Sequence, residues 1–348
     1  MALDEFETPT IKVTDGIVAP PVNEFPAYPI SWYLFCDANE IRSRPISKPF
    51  LGKQLVAYRT SSGRAVVMDA RCSHLGSDLG QGCVRGENIK CPFHDWEYRP
   101  DGKCVHIPAQ AEIPAFAKQV CYPTEEQNGL IFIFNGAHPS FPLPFFPGCD
   151  PKNFSPATPF GTDLDCPWYM AGANAFDLQH FLAAHDRKLK GSPTAQRPSR
   201  YSFESSGTFD VSGDNIRDRL TRRFAGDEVT LSLTDWCGSL SFATATFSQT
   251  KSYGLVAREP LAGGGVRVKV IVFVRRSESS LGRRLRDPIR LAIRRYFIRK
   301  FLTEDAIRLQ GVRYNPHAFI ECDREMVHYF RFLADVSRGD RTKSLQDN

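Results

Sequence analysis

No run of the 348-residue sequence reaches the roughly eighteen apolar residues that cross a bilayer, which argues against membrane-spanning helices. The acidic start, Met1-Ala-Leu-Asp-Glu-Phe-Glu7, has neither the basic nor the apolar region of a secretion signal, so a cytoplasmic protein is expected. The net charge of +5 is not gathered into one block. With no stripe of interleaved aromatics and arginines, nucleic acid is not expected as a partner. Gly263-Gly-Gly265 lacks the G-x-G-x-x-G pattern that opens a helix under a pyrophosphate, which argues against a flavin or dinucleotide site within the chain. The ten cysteines show no paired disulfide spacing and read as reduced thiols. What remains is an ordinary globular composition, 42% hydrophobic and 24% charged, in a chain long enough for two cores.

Two short segments carry the strongest chemical signal. Cys72-Ser-His74 is followed, after sixteen residues, by Cys91-Pro-Phe-His94. Two thiolates and two imidazoles are the ligand set of a Rieske [2Fe–2S] centre, in which two neutral imidazoles on one iron raise the reduction potential. A structural zinc site uses the same residue types, but zinc motifs pair Cys with Cys and His with His, whereas here each loop mixes one of each. Gly76, Gly80 and Gly82 are expected to tighten the first loop and turn backbone amides towards the sulfurs. Pro92, Trp96 and Tyr98 are expected to stiffen the second.

Asn174-Ala-Phe-Asp177-Leu-Gln-His180-Phe-Leu-Ala-Ala-His185 then gathers two histidines and a carboxylate within twelve residues. Two His and one carboxylate on one metal, leaving a face open, suit non-haem Fe(II) and dioxygen. On a regular helix His180 and His185 diverge by about 140°, so sharing a metal requires a π-type widening or a helix end between them. Asp177 falls beside His180, where it would accept the imidazole N–H. The third ligand is sought in Thr303-Glu304-Asp305, with Asp305 preferred to Glu304. Taken singly, each of these residues also reads as an ordinary surface group, the acidic pair as a solvated helix start.

Residues 1–26, rich in proline, read as a surface arm. Residues 27–147 read as an all-β domain with turns at Ser61-Ser-Gly63 and Pro100-Asp-Gly102, and proline-rich residues 139–167 as an irregular connection. Residues 148–348 read as the second domain. There a helix is expected around Met170 to Ala184. Strands are expected over Ser205–Val211, Ile216–Phe224, Glu228–Asp235, Leu240–Ser248, Tyr253–Glu259 and Arg267–Arg275, then helices from Arg283 to Val336. The fold class is α+β, an antiparallel sheet packed on helices. Trp236, Phe242, Phe247 and Phe273 are the candidate lining of an apolar pocket for a small aromatic or polycyclic molecule.

The two constellations, in this order, resemble the catalytic α-subunits of Rieske non-haem iron oxygenases. Gly63–Asp69, Cys72–Gly76 and Cys104–Pro108 look like the aminopyrrolnitrin oxygenase type and like 3-ketosteroid 9α-hydroxylases and cholesterol desaturases. The resemblance implies a Rieske domain, a helix-grip catalytic domain and a head-to-tail homotrimer. It implies a [2Fe–2S] cluster on Cys72, His74, Cys91 and His94, and Fe(II) on His180, His185 and an acid such as Asp305. In that arrangement Asp177 stands between His94 of one subunit and His180 of the next, with Asn174 in the same motif. Electrons would come from NAD(P)H through a separate ferredoxin or flavin reductase, and dioxygen would be the co-substrate. Ser77 and Phe93 stand where respiratory Rieske proteins carry a disulfide, which implies the lower-potential type. The competing reading is an electron carrier or scaffold without chemistry of its own.

Arg283–Lys300 is basic and apolar by turns. Docking to an acidic reductase and contact with anionic lipid are two readings of such a stretch. The preferred one packs its Leu, Ile and Phe side on the sheet with arginines in water, and membrane contact is not expected.

Overall fold

The computed structural model describes residues 17–344, so residues 1–16 of the expected arm lie outside the described part. The end of the arm is anchored, not merely laid on the surface. Phe25 is buried and stacks on Tyr169 with ring centroids 4.2 Å apart, and the Tyr314 hydroxyl donates to the Pro20 carbonyl at 2.6 Å.

The N-terminal part is built from short antiparallel strands in three small sheets. Trp32–Asp37 pairs with Leu130–Phe134, which pairs with Thr124–Gln127. Ile46–Phe50, Lys53–Arg59, Ala65–Asp69 and Cys121–Tyr122 form the second sheet. Cys83–Arg85, Asn88–Lys90, Glu97–Tyr98 and Cys104–His106 form the third, and both Cys/His loops hang from it. The two expected turns are present. At Gly102 the φ is +83°, and a Cβ would meet the Gln119 carbonyl at 2.1 Å, so only glycine lets the hairpin close against that segment.

The C-terminal part is an eight-stranded antiparallel sheet. Its path runs Phe154–Pro156, Val266–Arg275, Lys251–Pro260, Leu240–Phe247, Glu228–Trp236, Ser202–Val211, Arg187–Ser199, and Phe160–Leu164 also pairs with Val266–Arg275. Two of these strands, Phe154–Pro156 and Phe160–Leu164, arise inside the proline-rich stretch read as a connection. Period-two alternation gives the sheet two apolar faces. One, with Phe242, Leu255 and Phe273, merges into a single core with Trp32 and Phe134 of the first part and with α1 (Trp168–Ala173) and α5 (Arg324–Ser344). The other face, with Ala243, Val256 and Val270, looks into a cavity beneath α2 (Leu178–His185) and α4 (Asp287–Leu309).

Ile216–Phe224, expected as a strand, is α3. Its apolar residues Ile216, Leu220 and Phe224 recur every four positions, a helical period, and the Asn215 side chain caps the start by accepting the Asp218 N–H at 3.0 Å. The long strand Arg187–Ser199 was not anticipated, because its run of Lys, Gly, Ser, Pro and Gln carries little apolar alternation and it lies at the sheet edge.

Two candidate metal centres and an apolar cavity

In the N-terminal part the two loops face each other with sulfur inside and imidazole outside. Cys72 and Cys91 are buried, whereas His74 and His94 are exposed, with their Nδ1 atoms 3.1 Å apart. Trp96 is stacked on His74, ring centroids 4.6 Å apart and planes within 2°, which fixes the imidazole orientation. The Tyr98 hydroxyl sits 3.0 Å from Cys72 Sγ and 3.0 Å from Ser73 Oγ. Burial pushes the Cys72 thiol up, opposed by the Tyr98 hydrogen bond.

The loop glycines act differently from expectation. The Gly76 N–H donates to Cys72 O, that of Gly80 to Asp78 Oδ1 and that of Gly82 to Leu79 O, so these amides bond loop oxygens. Gly82 is needed for close approach instead, since a Cβ there would lie 2.0 Å from the Lys90 carbonyl next to the second loop. Two soft sulfurs below two imidazole nitrogens are donors of the right kind for a [2Fe–2S] centre.

The second constellation sits where α2 meets α4. His180 Nε2 and His185 Nε2 lie 2.7 and 2.6 Å from the same oxygen, Asp305 Oδ1. These donor atoms all fall within 4.8 Å of one another, a set that could hold a metal ion. The single helix expected around Met170 to Ala184 breaks into α1, a 3-10 turn over Asn174–Phe176, and α2. No widening or end separates the two histidines: α2 is α-helical from Leu178 to His185. Relaxation comes just after, where Asp186 (φ +51°) ends the helix with its N–H shared between Leu182 O and Phe181 O, the latter a π-type bond. His185 stacks on Phe301 at 3.6 Å between centroids, which ties its ring to α4.

Glu304 lies to the other side of His185, its Oε2 3.5 Å from Nδ1, and is more exposed than Asp305. Burial would raise the Asp305 carboxyl, but hydrogen bonds from His180 and His185 outweigh it and hold the group below its ordinary value. Asp177 is the N-cap of α2. Its Oδ1 accepts the backbone N–H of His180 at 3.0 Å, in place of the imidazole N–H that was expected, because the chain turns extended at Asp177 (ψ 99°). Asn174 ends α1 and lines the cavity.

His180, His185 and Asp305 stand in the wall of a cavity of about 1110 Å³. Leu231, Ala243, Ala245, Val256, Val270 and Phe297 make much of its lining apolar. Of the four aromatics proposed for a pocket, Phe247 lines it. Phe242 and Phe273 point to the opposite face of the sheet and pack on Phe145 and Phe146. Trp236 stacks on Phe141 instead. On Leu240–Phe247 the cavity takes the odd positions, so Phe242 and Phe247 cannot share a face. The signal that sequence reasoning passed over was the small residues Ala243, Ala245 and Gly254, which make room where aromatics would fill it.

Residues 31–117 match the Rieske [2Fe-2S] domain family model. The chain is 38% identical over 131 residues to aminopyrrolnitrin oxygenase PrnD of Pseudomonas fluorescens, covering 35% of this chain and 36% of that protein. It is 31% identical over 191 residues to a 3-ketosteroid-9-alpha-monooxygenase oxygenase component of Rhodococcus rhodochrous, covering 50% and 47%. The chain thus spans less than half the length of these curated relatives. Dicamba monooxygenase bound to 3,6-dichlorosalicylic acid superposes with a TM-score of 0.71 at 19% identity over 91% of this chain and 99% of that one. Pseudomonas putida CBB5 NdmA with caffeine gives 0.67 at 19% identity, covering 89% and 91%. Among the described residues no helix is long and apolar enough to cross a membrane. With a Rieske domain at its N-terminus and this architecture over most of its length, the chain has the fold of the Rieske oxygenases.

Proposed function

We propose that the chain is the terminal component of a Rieske-type non-haem iron oxygenase that hydroxylates, N-oxygenates or desaturates a mainly apolar small molecule. The observation that carries this is the convergence of His180 Nε2, His185 Nε2 and Asp305 Oδ1 in the wall of a large apolar cavity. Cys72, His74, Cys91 and His94 would hold the [2Fe–2S] cluster, and His180, His185 and Asp305 a single Fe(II). When bound, the cluster supplies electrons singly and the mononuclear iron a place where dioxygen is bound and reduced.

The remaining work belongs to the chain's own side chains. The aliphatic walls exclude water and hold an apolar substrate against the triad. Phe301, stacked on His185, fixes that ring's orientation. His74 and His94 are exposed, so their edge is where a neighbouring subunit in a homotrimer would present Asp177 and His180. The sequence carries no flavin or dinucleotide motif, so a separate ferredoxin or flavin reductase drawing on NAD(P)H is the expected partner. The reading places the chain in the cytoplasm with its ten cysteines as thiols.

The test is a screen of sterols, aromatic amines and other apolar compounds with reductant and labelled dioxygen, read by mass spectrometry for gained oxygen or lost hydrogens. His180→Ala should abolish product and remove one iron per chain while leaving the cluster spectrum intact. Undiminished product from that variant would sink the reading.

A further inference from the structure

The helices at the cavity carry apolar stripes that face solvent. On α3, Ile216, Leu220 and Phe224 are exposed, the first by 76% and the last by 65%. Through the π-helical turn Gly282–Arg286 and into α4, Leu281, Leu285, Ile289 and Ile293 recur every four residues, each more than half exposed. Packing of this stretch on the sheet holds for half-buried Phe297 and Phe301 but fails for the stripe. Leu220, Phe224 and Ile293 also line the cavity, so the outer stripes continue into its wall.

Within residues 216–224 and 281–300 the exposed charges are all basic, while the exposed acids Asp214, Asp227, Glu228 and Glu278 flank these segments. Arg219, Arg223, Arg284, Arg286, Arg299 and Lys300 are exposed. The acids of residues 216–224 and 281–300, Asp218 and Asp287, are both buried and occupied, Asp218 by Arg187 at 2.5 Å and Asp287 by the Ser277 hydroxyl at 2.7 Å. Helices with an exposed apolar stripe beside arginines suit the headgroup boundary of an anionic bilayer. Two exposed apolar stripes that both run into the wall of one cavity are not ordinary scatter.

We propose that α3 and α4 dock the protein on an anionic phospholipid surface, so that an apolar ligand can pass from the bilayer into the cavity without crossing water. This reverses the expectation that membrane contact is absent. A two-fold contact with a second copy would set arginines against arginines, and a head-to-tail contact is the outcome that the assembly-mass measurement below reads. An acidic protein would answer the charge but not the opening of an apolar cavity within the stripe. The inference rests on the surface alone and is independent of either metal.

Co-sedimentation of the full chain with vesicles tests it. The protein should pellet with phosphatidylcholine vesicles containing roughly a third phosphatidylglycerol, not with phosphatidylcholine alone, and less so in about 0.5 M salt. Arg284→Gln/Arg286→Gln should lower partitioning roughly thirtyfold, and Leu285→Ser/Ile289→Ser at least tenfold by a similar estimate, each with an unchanged melting temperature. None of these four residues lines the cavity. Absence of binding to the anionic vesicles, or binding untouched by both pairs, overturns the proposal. So does a change of assembly mass in the Ser pair without vesicle binding, which would assign the face to subunit contact. A loss of reductase-driven turnover in the Gln pair without vesicle binding would assign it to an acidic protein and likewise overturn the proposal.

Discussion

The Tyr98 hydroxyl lies 3.0 Å from the sulfur of Cys72, within a strand whose neighbour in sequence, Glu97, pairs with the opposite loop's strand at Lys90. In the proposed assignment Cys72 would ligate the cluster as a thiolate, this O–H would be the donor, and its hydrogen bond would stabilise the reduced, more negative cluster. Tyr98→Phe should lower the reduction potential by about 40 mV, the equivalent of one net hydrogen bond of about 1 kcal/mol. A spectroscopic redox titration checks it, and an unchanged potential would remove Tyr98 from any tuning role.

Asp177 is asked to do two things, and substitution separates them. As N-cap of α2 it can be replaced by Asn with little loss, whereas Ala should cost about 1 kcal/mol. Asp177→Asn should therefore keep the wild-type melting temperature yet cut turnover roughly 10- to 100-fold if its charge serves passage between subunits. Turnover equal to wild type in Asp177→Asn would leave only the cap.

Gly254 opens the cavity floor. A Cβ placed there meets no heavy atom within 4 Å, and the residue sits in the cavity-facing row of Lys251–Pro260. Gly254→Leu should fold normally and reduce kcat/KM for a polycyclic substrate by about tenfold while sparing a single-ring one. Equal losses for both would place the restriction elsewhere.

Lys48 gives a pH signature unrelated to either metal centre. Burial, helped by the like charge of Lys269, lowers its pKa to about 8, and its Nζ donates to the Phe35 carbonyl. Because the folded state gives up the proton before the unfolded state does, stability from this group rises between pH about 8 and the ordinary 10.5. Below pH about 8 the full cost of the buried charge is present. Lys48→Met should abolish that rise and stabilise the protein at neutral pH by up to the order of 3 kcal/mol, as measured by denaturant unfolding across the range. An identical pH slope in the variant would contradict the assignment.

Much of the site was legible because its chemistry lies in short, local motifs. Cys72, His74, Cys91 and His94 are close in sequence and close in space, and so are His180 and His185. Asp305 came from an adjacent acidic pair that local spacing could not resolve, and only the crossing of α4 over α2 distinguishes it from Glu304. Where sequence reasoning failed, a side chain's face or a backbone break decided. Phe242 and Phe247 differ by an odd number of positions, and Asp177 became a cap because the chain leaves helical geometry there. The helix at Ile216–Phe224 was hidden by its arginines, although its four-residue apolar period was present.

Phe141 and Phe146, in the stretch that joins the two halves, are buried in the same core as Trp32 and Phe330. The joint is therefore wedged and offers no swivel. For protein engineering this means that a chimera spliced within residues 139–167 would strip aromatic surface from both halves. A graft meant to change the reaction chamber must bring its own wedge along.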